Sequence, residues 1–113
     1  MDYETARQFL ILQGAPSPTN ADAFLNRLKA GQPPIPGQVT SILLALKMVY
    51  TALEGTPSLS REFAGPLSRL AVEGNIAYQA GLVSGVPWPP LLAEDLQRIS
   101  KGVASIMSGY WQD

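Results

Sequence analysis

Glu94-Asp95 is the one adjacent acidic pair in the sequence, and paired carboxylates are what general acid–base chemistry uses. Consecutive positions on a helix point in different directions, however, and acidic residues in a first turn are ordinary complements of the helix dipole. Glu62 and Glu73 share a helix face, but the chain has no histidine to pass a proton beside them, so both read as solvated surface charge. The nearest approach to a nucleotide loop is Gly31 to Thr40, GQPPIPGQVT. A P-loop places four residues between its glycines and follows them with Lys and Ser or Thr. Here five residues intervene, Gln38 stands at the lysine position, and Pro33, Pro34 and Pro36 remove amides that would cradle phosphate. The chain also lacks cysteine, which excludes thiolate nucleophiles, disulfides and thiolate metal sites together. No catalytic, cofactor-binding or metal-ligating residue is expected, no cofactor is implied, and the chain reads as not an enzyme.

What remains is recognition chemistry. Pro33 to Pro36 and Pro87 to Pro90 both fit PxxP, the pattern of polyproline ligands, yet both directly precede helices, where proline is common punctuation. Trp88 stands between Pro87 and Pro89, which hold it at low entropic cost, and Tyr110-Trp111 sit near the C-terminus. Tyrosine and tryptophan are enriched at binding hot spots. Trp88, Pro87, Pro89, Tyr110 and Trp111 are therefore the candidate partner-binding residues. The competing structural reading makes Trp88 a plug for the end of a bundle and folds the tail back over the chain.

The elements that must carry these residues follow from the spacing of apolar positions. Asp2 is a good N-cap for a first helix on which Tyr3, Ala6, Leu10 and Gln13 share a face, with Gly14 as a left-handed stop. A second, short helix is expected from Thr19 or Asn20 to Ala30, capped by Thr19 with Asp22 and ended by Gly31. The loop at 15–19 and the segment at 32–37 are proline-rich and cannot be helical. Val39, Ile42, Leu46, Val49 and Leu53 form a heptad seam on a third helix, Gly37 to Glu54. Leu43, Leu44, Met48 and Tyr50 make it apolar on most sides, so it is expected at the centre of the fold. The fourth helix begins at Ser58 or Ser60 and carries Phe63, Leu67, Leu70, Gly74, Ala77 and Gly81 on one stripe, with Pro66 expected to kink it. The last helix carries Leu92, Leu96, Ile99, Val103, Ile106 and Tyr110. No segment alternates with period two. The expectation is all-α: one domain over 1–113, an antiparallel helical bundle of about five helices, two short and three long, without a sheet.

The 113 residues are 46% apolar and only 15% charged, with a net charge of −1. Such a chain folds, and it has no basic stripe for nucleic acid or anionic lipid. The longest greasy run, 39–53, is too short to span a bilayer and contains Lys47. Acidic residues open the sequence, so no signal peptide or transmembrane segment is expected and the default location is the cytoplasm.

With PPIPGQVTSILLALK and WPPLLAEDLQRIS in view, the chain resembles, nearly end to end, a family of small helical proteins from cyanobacteria. Members sometimes carry the label dethiobiotin synthetase, which implies an ATP-dependent α/β enzyme with a P-loop and Mg²⁺. The absent P-loop lysine and absent β-α alternation contradict that label, and no residue of such a site maps onto this sequence. The resemblance implies a cyanobacterial cytoplasm. The function expected from the residues is interaction or scaffolding without catalysis, as a homodimer whose interface uses the last apolar stripe where it continues into Tyr110 and Trp111. The alternative is a bundle that binds an apolar small molecule, a lipid or pigment. An enzyme of the kind the label names comes third.

Overall fold

The computed structural model describes residues 1–15 and 19–112, and among them helix is the one regular element. The helices are α1 (Tyr3–Gly14), α2 (Phe24–Lys29), α3 (Gln38–Ala52), α4 (Arg61–Val83) and α5 (Leu92–Ser108). The all-α bundle without a sheet is thus the observed fold. Of the proline loop expected at 15–19, Pro16, Ser17 and Pro18 lie outside the described residues.

Four helices close a ring in the order α1, α3, α5, α4, each packed on its two neighbours. The end of α1 meets the start of α3 through Gln13 and Gln38, so that pair is antiparallel. Trp88, just before α5, lies over Gly81 near the end of α4, while Leu96 within α5 reaches back to Gly74, which makes α4 and α5 antiparallel as well. The other two pairs run parallel: Arg7 lies over Phe63 while Gly14 lies against Pro66, and Leu46 of α3 meets Gly102 of α5 while Tyr50, further along α3, reaches Gly109 just past the end of α5. The 23 residues of α4 span about 35 Å at 1.5 Å per residue. Neither short helix covers that length. Instead α1 packs on the first half of α4, and α2 continues beyond it along the second, with Phe24 beside Gly74.

Most positions of the expected stripes are buried, while Tyr3, Val39 and Leu53 are half-buried. Ala6 and Leu10, Ile42, Leu46 and Val49, Phe63, Leu67 and Leu70, and Leu92, Leu96 and Ile99 form one core with Phe24 and Leu28. Two local expectations need correction. The first concerns α3, which is not the central helix: it touches α1 and α5, and Leu44, expected inside, is 63% exposed. In a ring of four, every helix has an outer face, and the apolar side chains on this one meet solvent. The second concerns Gly14, which is the last residue of α1 and has no positive φ. It is glycine because any Cβ there would collide with the Pro66 carbonyl oxygen. Pro66, where a kink was expected, lies inside α4, which runs on through it as one helix. Its ring deprives the Glu62 carbonyl of a donor, but Glu62 is exposed near the helix start, where water can take that bond.

Helix α2 is shorter than expected, and the Thr19–Asp22 box does not cap it. Its first amide, Phe24 N–H, donates to Gln13 Oε1 of α1 at 2.8 Å. The same oxygen accepts from Gln38 Nε2 at 3.0 Å. Gln38 Nε2 also donates to the Asp22 carbonyl at 2.8 Å, and Gln38 Oε1 accepts from Ile35 N–H at 3.0 Å. Two buried glutamines thereby pin the end of α1, the start of α2 and the start of α3 to one another.

Candidate functional site

The two proline segments come together at one end of the molecule. Val86 lies against Gly31, and Pro34, Ile35, Pro89, Pro90 and Leu91 line one shallow depression between them. The sequence holds no Asp, Glu, Lys or Arg from 30 to 46 or from 74 to 93, so both segments reach this end without a charge. Val83, the last residue of α4, is 90% exposed and Leu91 is 59% exposed; Leu82 is exposed too, and so is Ile35, which lines the depression with Leu91. Pro33, Pro36, Pro87 and Pro90 are exposed too and hold the backbone stiff. The result is an apolar, pre-organised surface whose depression has one charged residue in its lining, Asp95, held by Arg98 at 3.2 Å.

Trp88 supports this end from within. Its Nε1–H donates to the Tyr78 carbonyl at 3.0 Å, and its ring stacks on Tyr78 with centroids 6.0 Å apart. The indole lies over Gly81, where a Cβ would fall 2.6 Å from Nε1. Among the candidate partner-binding residues, Trp88 is thus the half-buried prop, Pro89 is half-buried beside it, and Pro87 is exposed. The stripe of small residues on α4 serves two neighbours: Gly74 admits Leu96 of α5, while Gly81 admits an indole instead of a helix.

Tyr110 and Trp111 are far from this end and differ from each other. Gly109, with φ of 81°, ends α5, so Tyr110 leaves the stripe it was expected to complete and is 76% exposed. Trp111 turns back over α3. Its ring meets Tyr50 edge-on at 5.1 Å, Lys47 Nζ sits 3.8 Å from its centroid, and Gln112 N–H donates to Ser105 Oγ at 2.7 Å. The structure therefore does not bring the five candidate residues together. It joins Pro87, Trp88 and Pro89 with the segment at 32–37, which sequence reasoning treated as separate punctuation. The signal that could have found this surface is the pair of long charge-free runs.

Charged side chains near the charge-poor end are held by partners. Lys29 Nζ pairs with Glu73 at 2.7 Å and Arg69 with the same carboxylate at 2.6 Å, while Arg69 Nε also donates to the Gly14 carbonyl at 3.0 Å. Arg27 binds Asp22 and the Pro33 carbonyl. Glu73 is thus a surface charge shared between two cations. Beside it, a groove of about 520 Å³ runs between α2 and α4 over Leu28, Ile76 and Ala80.

Compared with known proteins, the chain matches no protein-family model, no curated protein and no solved structure. Among the described residues, no three His, Cys, Asp or Glu side chains are grouped to hold a metal, and no helix is long and apolar enough to cross a membrane.

The Glu73 carboxyl is held below the usual carboxylate range, first by its hydrogen bond from Lys29, then by the charges of Lys29 and Arg69, against some desolvation. A lowered folded-state pKa contributes stability that is full above the unfolded value and is lost as pH falls through the folded one. Glu73→Gln is therefore expected to be less stable than wild type at neutral pH and to lose less on acidification from about pH 5 to 3. Urea titrations at a series of pH values read both effects, and parallel acid profiles would contradict the assignment.

Proposed function

We propose that this chain is a non-enzymatic interaction protein that pairs with a second copy of itself through its charge-poor, proline-stiffened end, in the cytoplasm of a cyanobacterium as its sequence resemblance implies. The observation that carries the reading is the meeting of two charge-free segments, which between them carry exposed Ile35, Val83 and Leu91, at a depression where the one charge, Asp95, is already paired with Arg98. A twofold interface sets each residue near its own copy or that of a neighbour, so any charge in it meets its like or must be desolvated. Segments without charges meet their own copies at no such cost. The prolines reduce the ordering entropy that association would otherwise exact. Trp88, locked on Tyr78 and Gly81, acts by holding this surface in shape, and the interface expected at Tyr110 and Trp111 moves to the opposite region of the fold.

Light scattering during size exclusion at micromolar concentration tests the reading. Wild type is expected to elute as a dimer. Val83→Glu with Leu91→Glu puts like charges across the twofold axis and is expected to weaken pairing by at least ~100-fold, giving a monomer. Tyr110→Ser with Trp111→Ser is expected to stay dimeric. A wild-type monomer, or a dimer that survives the two glutamates, overturns the proposal.

A further inference from the structure

The groove between α3 and α5 has a character opposite to that of the charge-poor end. Its cavity is about 410 Å³, within the size range of small-molecule sites. Leu43 and Leu46 make an apolar floor, and Gly102 deepens it, since a Cβ there would come within 2.9 Å of Leu46 Cδ1. The folded-back tail supplies one wall, Trp111. Around the opening stand Lys47, Lys101 and Arg98, and among the described residues no acidic one lines it. Three of the eight basic side chains in a chain of net charge −1 thus surround one apolar cleft.

The three cations are not equally engaged. Arg98 is drawn toward Asp95 at 3.2 Å and Glu94 at 3.8 Å along its own helix. Lys47 rests on the Trp111 ring, a contact that leaves ammonium protons free for an anion. Lys101 is exposed and, among the described residues, forms no ion pair. Attraction between these charges and an anion is strengthened beside an apolar floor, where water is displaced. A neutral apolar molecule would gain nothing from them, and a polyanion lacking an apolar body would gain nothing from Leu43, Leu46 and Trp111.

We infer that the α3–α5 groove binds an amphiphilic organic monoanion, a carboxylate or sulfonate on a flat or chain-like apolar body, with the anionic head at Lys101 and Lys47 and the body between Leu46 and Trp111. This site goes beyond self-association and uses another face of the molecule. It also gives the tail a role: Gln112 on Ser105 and Trp111 on Tyr50 hold a wall of the site in place.

The test is a fluorescence titration of the full chain with 8-anilinonaphthalene-1-sulfonate, beside N-phenyl-1-naphthylamine, which has the same aromatic body without the sulfonate. Saturable one-site binding of the sulfonate, at least ~10-fold tighter than the neutral probe, is expected. Lys101→Gln, an exposed change that leaves the core untouched, is expected to weaken the sulfonate about 10-fold and to leave the neutral probe unchanged. Val83→Glu with Leu91→Glu is expected to keep the sulfonate affinity, which separates this site from the dimer surface. The inference is overturned by non-saturable sulfonate binding, by equal affinity for the two probes, by an unchanged affinity in Lys101→Gln, or by loss of the site in the Val83 and Leu91 variant.

Discussion

Leu46→Ala is expected to lower the free energy of unfolding by ~2–5 kcal/mol, the range for a large side chain deleted from a close-packed interior. Leu46 is fully buried at the middle of α3, and its branched end occupies the space that Gly102 leaves open on α5. Those two helices are bound to their neighbours on rigid sides, α1 for one and α4 for the other, so the gap cannot close by a small shift. Urea denaturation at fixed protein concentration reads the effect, since self-association adds concentration-dependent stability. A midpoint equal to that of wild type would place the contact between α3 and α5 elsewhere.

Gln13→Leu is expected to cost nearly as much for a different reason. The Gln13 side-chain oxygen accepts from the Phe24 amide and from the Gln38 side chain, both in buried surroundings. Leucine keeps the bulk but orphans both donors, at roughly 1–3 kcal/mol for each one left unpaired. The helix most affected is α2, whose first amide has no side-chain cap of its own. Gln13→Leu with Gln38→Leu should cost less than the sum of the two single changes, because each removes a partner the other needs. Additive losses in the double-mutant cycle would show that the two glutamines act independently.

The long-range design was legible where it depended on periodicity. The α5 stripe Leu92, Leu96, Ile99, Val103 and Ile106 is buried as its spacing predicts, and so are the α4 positions from Phe63 to Ala77. A period of 3.6 marks the inner face of a helix whatever its neighbour. What periodicity could not show is which helix stands at the centre. The apolar surplus of α3 suggested a central position, yet the ring arrangement leaves Leu44 and Met48 outside. Caps were legible when local and illegible when remote: Asp2 accepts from Thr5 N–H at 2.8 Å, as its position implies, whereas α2 is capped from eleven residues away by Gln13. Gly14 and Gly81 share that lesson. Both are glycine because another segment comes close, Pro66 in one case and Trp88 in the other, and no local rule names such a partner.

The candidate surface was half legible. Pro87, Trp88 and Pro89 were singled out by composition, but the segment that joins them, 32–37, is distant in sequence and meets them through the packing of Gly31 on Val86 and the shared depression at Pro34 and Leu91. Tyr110 was expected on the α5 stripe because the step from Ile106 is four. Gly109 in the left-handed region breaks the helix one residue earlier, and the turn sends Trp111 back onto Tyr50 and Lys47.

The central claim is that two copies meet at the charge-poor end. The chain contains no cysteine, so a single introduced one carries a spin label at a unique position. Val83→Cys labels the proposed interface, and Glu54→Cys labels the connection between α3 and α4 at the other end of α4. Pulsed dipolar spectroscopy at micromolar concentration then measures the distance between the two copies of each label. The account predicts a separation at Val83 shorter than the 43 Å greatest extent of one molecule, and a separation at Glu54 well beyond it. No dipolar signal from Val83→Cys, or a shorter distance at Glu54 than at Val83, would contradict it.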